Sequence, residues 1–500
     1  MKNVGGVKKD IGRLENMSNI CYYSLSGINY KNQFTTTCAI NSDRLIKFNE
    51  SILPSKIYNS DKFKKIRKDL YIGNWPKGCH LCEQVEKNAN SFSMRQDYIF
   101  DNGKFEHEEN NFVFDHFNPT TGYMDPKGCR HIEMRFSNVC NMSCLHCSSV
   151  YSTGWQKKLE KYTVDEEDKN HNLEQLLNTL HVDSKDDKKR LGINLKDLEK
   201  ICNDLNTNFP NINRIEFSGG ELLIQQQFYK CLEMLSIHPN RKNITISFYS
   251  NFNADFDIEY LTSLLKKFGK SVVTISIDAG KNIYSYFRNG DWNILQSNIN
   301  KFKKINRFTE LSSVVTFSAY QFMDMFNIYD SILSLKLTHL KTSLVQSPRY
   351  LNPCVLLFDH EKELREDFEK TIDMINAVYN DRIKNIDRFR QNNTDVKIEP
   401  NRYVDIENFP NPVSDHLIED NKYKFRKQYL KGDFIFSDLD SALWYLHNIK
   451  NYIFNKKNSR YIDYNAFLTY IKKSDNLCNQ NFNNYFKQFK FKDNEIVRYT

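Results

Sequence analysis

The chain has little glycine or proline, no long apolar run and no strong charge of one sign. Of 500 residues only 17 are Gly and 11 Pro, which excludes a collagen or a low-complexity chain. No stretch of about 18 uncharged apolar residues occurs, so no transmembrane helix and no membrane partner are expected. Met1 to Asn16 is charged and has no apolar core, so no secretory signal is expected either. Lys+Arg 70 against Asp+Glu 62 leaves +8, too thin over this length for the basic footprint of a dedicated nucleic-acid binder. P-loop, HExxH and GxSxG motifs are missing, and the hydrolase and transferase readings they would support fall with them.

What is present is apolar mass and cysteine. Hydrophobic residues make up 40% and aromatics 14%, enough to bury real cores in about two to four domains. Twelve cysteines without a secretory signal point to a reducing, cytoplasmic setting. There, clustered cysteines read as metal ligands rather than disulfides.

The tightest cluster is Cys140-Asn-Met-Ser-Cys144-Leu-His-Cys147, a CxxxCxxC triplet. A closed structural zinc site wants four ligands, and His146 could be the fourth. An iron–sulfur cubane has four irons, and three cysteines leave one iron open to a substrate or cofactor. The preceding His131-Ile-Glu-Met-Arg-Phe alternates like a strand, so the triplet opens a loop directly after a strand. A barrel of parallel strands puts its chemistry at that end.

Further strand-like runs follow in order. Arg214-Ile-Glu-Phe-Ser ends in Gly219-Gly220-Glu221, where glycine admits close backbone approach and Glu221 offers a carboxylate. Ile244 to Ser250 runs into Asn251, and Val272 to Ser276 runs on through Ile277 to Asp278. Ser312 to Ala319 and Lys341 to Gln346 complete six, and amphipathic stretches such as Leu195 to Leu205 and Leu261 to Phe268 separate them. The expectation is an α/β fold with a partial (β/α)6 barrel over 131–354. The charge-rich stretch 165–189 reads as a solvated helical excursion.

An N-terminal unit over 17–130 carries Cys21, Cys38, Cys79 and Cys82, spaced x16, x40 and x2. Four thiolates would close a cluster or a zinc site, with a structural or electron-transfer role. Cys129 is an alternative to Cys21. From Val355 to Thr500 the chain reads helical, with Phe368, Ile372, Ile375 and Val378 at helical spacing, a polar connector at Pro400 to Pro412, and helices over Trp444–Phe454 and Ala466–Phe486. Cys202, Cys231, Cys354 and Cys478 read as small buried hydrophobes.

CxxxCxxC after the first barrel strand, followed one strand later by Gly-Gly-Glu, resembles the radical S-adenosylmethionine (SAM) superfamily. The strand end Ser250-Asn251 resembles its Thr-Asn-Gly, with Phe252 in place of Gly. Ser276-Ile-Asp278-Ala-Gly280, followed by Tyr286-Phe-Arg288-Asn-Gly290-Asp-Trp292, resembles another of its patterns. His146 stands where an aromatic is usual. The Trp75-x3-Cys79-x2-Cys82 run, with Glu86, Ser93 and Arg95 downstream, and Phe34-Thr-Thr-Thr-Cys38 resemble members that carry a twitch (half-SPASM) domain, here on the N-terminal side.

The resemblance implies a [4Fe-4S] cluster on Cys140, Cys144 and Cys147 that cleaves SAM reductively. The resulting 5′-deoxyadenosyl radical would abstract hydrogen from a peptide, protein or small-molecule substrate. It implies that Gly219, Gly220 and Glu221 receive the methionine amino group, and that Ser250 and Asn251 line the cofactor. Ser276 and Asp278 would contact ribose or substrate. Arg288 would take the SAM carboxylate, the alternative for it being a surface ion pair. It implies an auxiliary [4Fe-4S] cluster on the N-terminal cysteines and an electron donor such as flavodoxin or ferredoxin. Two other readings stay open: a non-catalytic iron–sulfur binding protein and a zinc-stabilised interaction module.

Overall fold

The structure is a computed structural model. It describes residues 21–87, 112–160, 192–392 and 461–498 apart from isolated positions (32, 44, 150, 307, 338, 346–348, 487–488 and 493–494), with Ser93, Arg95, Leu446, Ile449, Lys450, Ile453 and Phe454 besides. The stretches 165–189 and 400–412, discussed above as an excursion and a connector, lie outside the described residues.

Thirteen strands are described: β1 (Gly27–Lys31), β2 (Phe34–Thr36), β3 (Ile46–Lys47), β4 (Phe117–Asn118), β5 (Tyr123–Met124), β6 (His131–Arg135), β7 (Arg214–Ser218), β8 (Thr245–Ser250), β9 (Lys270–Ser276), β10 (Glu310–Phe317), β11 (His339–Leu344), β12 (Phe489–Lys492) and β13 (Glu495–Arg498). Nine form one sheet, in the order β11-β10-β9-β8-β7-β6-β1-β2-β3. From β6 to β11 every neighbour is parallel and the spatial order is the chain order. Each of these six strands is followed by helix, as the alternation of strand and amphipathic runs predicts.

The helices start and face the sheet for local reasons. Asn194 caps Leu195–Asn208 by accepting from the Asp197 amide, and Leu198, Ile201, Cys202 and Leu205 make its buried stripe. Asp257 and Asp291 cap Ile258–Leu265 and Trp292–Ile305 in the same way. Against these helices lie Ile132, Met134, Ile215, Phe217 and Phe248, all wholly buried. Phe228, on helix Gln226–Leu235, meets Phe217 edge-on at 5.4 Å and Phe248 at 5.0 Å. The alternate residues, Glu133, Arg135, Glu216, Ser218 and Ser247, take the opposite, inner face because side chains alternate along a strand.

Two features depart from the sequence reading. The N-terminal unit is joined to the parallel sheet, because β1 pairs in parallel with β6 in the register Asn29–Glu133. Spacing of cysteines carries no information on which strand a distant segment pairs with. The C-terminal region is not wholly helical. Helices Leu357–Asn392 and Tyr461–Cys478 are there, but β12 and β13 form an antiparallel hairpin. Phe489-Lys-Phe491-Lys alternates with period two, which suits a half-buried strand. Of the residues read as buried hydrophobes, Cys202 and Cys231 touch in the core at 3.7 Å, whereas Cys354 and Cys478 are half-buried.

Candidate functional site

The chain segments that leave the C-terminal ends of β6 to β9 are stitched to one another. The cysteine loop leaves β6. Thr153 Oγ1 accepts from the Cys140 amide and donates to the Cys140 carbonyl, both at 3.1 Å. The Trp155 indole donates to the Cys144 carbonyl at 2.8 Å. From further along the chain, the Leu145 amide donates to the Phe287 carbonyl at 2.9 Å, and the Tyr470 hydroxyl donates to the Leu145 carbonyl. The loop's shape is therefore held chiefly by bonds to its backbone groups, the sulfurs adding only long contacts of 3.5–3.7 Å.

The Gly219-Gly220-Glu221 turn reaches this loop directly. The Glu221 amide donates to the Val139 carbonyl at 2.8 Å. Gly220 has φ +56°, and a Cβ there would stand 2.2 Å from the Val139 oxygen, so only glycine closes the approach. Glu221 is wholly buried. Its Oε1 accepts from Ser250 Oγ at 2.7 Å and the Leu223 amide at 3.0 Å, and its Oε2 from the Asn251 amide at 2.6 Å. A carboxylate offers about four acceptor positions, so about one is left for a ligand. Burial raises its pKa against these stabilising donors. Asn251 also donates to Asn141 Oδ1 at 2.9 Å, and Asn141 to the Asn253 carbonyl at 2.7 Å, tying the end of β8 to the cysteine loop.

Beyond β9, Asp278 adopts φ +52° and is locked there. Its Oδ1 accepts from the Thr316 amide at 2.7 Å and its carbonyl from Gln321 at 2.8 Å. Its Oδ2 is paired with Arg288, and both side chains are buried. Arg288 is thus an internal ion pair, not the surface pair weighed above, and its carbonyl accepts from Cys144 Sγ at 3.6 Å. Ser276, the last residue of β9, is half-buried. Phe252 has φ +53°, which explains why glycine suits this position; such a backbone costs a phenylalanine about 1–3 kcal/mol. Its wholly buried ring, against Phe256 at 5.3 Å and Phe302 at 5.5 Å, offsets that strain.

The donor set fits a cationic cluster. Burial pushes all three thiols up, Cys147 to about 12, with the Cys140 sulfur adding to it. Among charged neighbours Arg288 favours the thiolates, and it is shared with Asp278. A bound metal cluster supplies the positive charge that three buried thiolates need. Among the described residues no three His, Cys, Asp or Glu side chains converge as they would around one metal ion. His146 is engaged elsewhere: its ring stacks on Phe287 at 5.0 Å and 16°, its Nε2 lies 3.7 Å from Asp278 Oδ2, and burial lowers its pKa.

The N-terminal cysteines lie within electrostatic reach of one another. Cys21 immediately precedes helix Tyr22–Ser26, Cys38 follows β2, and Cys79 and Cys82 flank the start of helix His80–Lys87. Burial, then the Cys21 and Cys79 sulfurs, push Cys38 well up; burial, then Cys21 and Cys82, push Cys79 up to about 12. Cys129 lies apart, among Tyr58 and Arg67. Beside Cys82, Arg95 pairs with Glu86, donating from Nε at 2.9 Å, and covers the Trp75 ring at 5.5 Å. Ser93 donates to the same Glu86 oxygen at 2.5 Å.

The inner face of the sheet was missed at the level of sequence. Glu133 and Glu216 are register partners on β6 and β7. Burial, and then the Glu216 charge, push Glu133 up to about 7. The signal was available: His-Ile-Glu-Met-Arg and Arg-Ile-Glu-Phe-Ser both carry polar or charged groups at every second position. Between the ordinary value of 4.5 and about 7, folded Glu133 holds a proton that the unfolded chain has released. This contribution to stability is complete below the ordinary value and is lost as pH rises through about 7. Glu133→Gln is expected to flatten that part of the stability curve, measured by urea unfolding across this range. An unchanged slope would refute the assignment.

No family model matches the sequence, and no curated protein matches it. Solved structures give similarities. One, described as native anSMEcpe with bound AdoMet, is 15% identical over 70% of this chain and 99% of its own, with a TM-score of 0.34. Streptococcus suis SuiB bound to precursor peptide SuiA is 11% identical over 63% of this chain and 60% of its own, at 0.30. The radical S-adenosylmethionine methyltransferase TsrM from Kitasatospora setae, with cobalamin and a [4Fe-4S] cluster, is 12% identical over 42% and 36%, at 0.27.

Proposed function

We propose that this chain is a radical SAM enzyme acting on a peptide or small-molecule substrate. The observation that carries the reading is the joining of four strand ends in one place: the Cys140–Cys147 loop after β6, Glu221 after β7, Asn251 after β8, and the Asp278–Arg288 pair after β9. Ligand sites of parallel α/β sheets lie at this end of the strands.

Cys140, Cys144 and Cys147 would hold a [4Fe-4S] cluster, and the remaining acceptor position of Glu221 suits an ammonium group. When bound, such a cluster supplies one-electron cleavage of the SAM sulfonium and so a radical able to take hydrogen from the substrate. The chain's own residues orient and enclose. Thr153, Trp155 and Tyr470 hold the loop, Ser250 and the Asn251 amide aim the Glu221 carboxylate and favour its charged form against burial, and the Asp278–Arg288 pair backs the Cys144 side. Cys21, Cys38, Cys79 and Cys82 would hold an auxiliary cluster, and a flavodoxin or ferredoxin would donate the electron.

The test is anaerobic. Full-length chain reconstituted with iron and sulfide, reduced with dithionite and given SAM is expected to release 5′-deoxyadenosine. Absence of that product from cluster-loaded protein, with and without candidate peptides, would sink the proposal.

A further inference from the structure

On the inner face of the sheet stands a guanidinium whose hydrogen-bonding capacity is largely unused. Arg135 ends β6, five residues before Cys140. Its stem lies so close to Gly219 (φ +90°) that a Cβ there would stand 2.2 Å from Arg135 Cγ. Its head lies 5.0 Å from the centre of the Tyr151 ring. Nε and Nη1 are both shut off from water, and neither has a hydrogen-bond partner. Glu133 feels its charge, but no hydrogen bond or ion pair joins the two among the described residues. The other arginines near the two cysteine groups and on the inner face are engaged: Arg288 with Asp278, Arg95 with Glu86, Arg214 with Glu216.

Buried donors without an acceptor are costly, and more so on a charged group. A fold that keeps such a group beside Gly219 and Tyr151 holds it for something absent from the free chain. The acceptor that fits a planar arginine fork is a planar one with two oxygens.

We propose that Arg135 is a carboxylate-binding residue of the inner face. The proposal rests on the functional reading above only for the identity of the ligand. The carboxylate belongs either to the substrate or to the methionine end of SAM.

The test uses full-length, cluster-loaded protein and the variant Arg135→Met, which keeps the stem against Gly219 and removes the donors. Glutarate at constant ionic strength is expected to raise the melting temperature of the native chain, glutaramide is not, and the glutarate shift is expected to vanish in the variant. The unliganded variant is expected to melt no lower than the native chain, because a guanidinium waiting for a ligand stabilises nothing. Equilibrium dialysis separates the sources. A tenfold or greater loss of SAM affinity in Arg135→Met, without loss for decarboxylated SAM, assigns the cosubstrate's carboxylate. Equal SAM affinity with a lost glutarate shift assigns the substrate's. A glutarate shift of the same size in the variant overturns the proposal. So does a native chain that responds to no carboxylate. A native chain that binds SAM in no form, yet keeps an Arg135-dependent glutarate shift, defeats the functional reading and leaves the arginine site standing.

Discussion

The variant Cys140→Ala/Cys144→Ala/Cys147→Ala is expected to release no 5′-deoxyadenosine and to hold about half the iron of the native chain, about four atoms instead of about eight. The variant Cys79→Ala/Cys82→Ala is expected to lose about the same amount of iron while still cleaving SAM. The reason for the asymmetry is the number of thiolates. Three leave one iron of a cubane open to a ligand, and four close it. Folding should survive the triple change, because the loop's frame rests on Thr153, Trp155, Tyr470 and the Phe287 carbonyl more than on the long sulfur contacts. Colorimetric iron and sulfide analysis, chromatography of the SAM products and near-ultraviolet circular dichroism check the three statements. Product from the triple variant would place the chemistry elsewhere. An unchanged iron content in Cys79→Ala/Cys82→Ala would remove the auxiliary cluster.

Glu221→Ala is expected to destabilise the chain by about 3 kcal/mol or more, as well as to abolish SAM binding. Its carboxylate is wholly buried and accepts from Ser250, Asn251 and Leu223. Truncation leaves three donors in a dry place, each costing about 1–3 kcal/mol, partly offset because the carboxylate itself no longer has to be desolvated. Glu221→Gln separates the two effects. The amide keeps one acceptor oxygen for Ser250 and Leu223 and turns a donor toward the Asn251 amide. Stability should then fall between the native chain and Glu221→Ala in urea unfolding. Loss of the negative charge should weaken SAM binding at least tenfold, about 1.4 kcal/mol, in equilibrium dialysis. Native affinity in the glutamine variant would show that Glu221 is a structural knot and not a ligand for the ammonium group.

Much of the architecture follows from local pattern. The six parallel strands fall where apolar runs end in polar turns, because a strand buried against helices on one side declares itself by period two and its helices by period 3.6. The cysteine loop, Gly-Gly-Glu and the Ser250-Asn251 end are contiguous in sequence, so their placement after strands was visible. Partnerships between them were not. Nothing in the chain order says that Glu221 would be held by Ser250 and Asn251, that Arg288 would turn inward to Asp278, or that His146 would lie flat on Phe287. These contacts join residues that are distant along the chain, or, as with Arg288 and Asp278, on successive elements whose relative placement is set by packing.

What the sequence by itself determined is the inventory: strands in order, turns that need glycine, and thiols in two groups at spacings that suit metal. Local sterics and hydrophobic period suffice for those. Tertiary structure alone decided which groups share a site. β1 joins β6, and the Cys21, Cys38, Cys79 and Cys82 sulfurs come within electrostatic reach of one another while Cys129 sits by Tyr58 and Arg67. Glu133 and Glu216 face one another across adjacent strands, and Arg135 is left with buried, unanswered donors. The physical reason is that burial and charge pairing belong to position in space. A carboxyl or guanidinium acquires its proton affinity and its need for a partner only when the fold removes water from it.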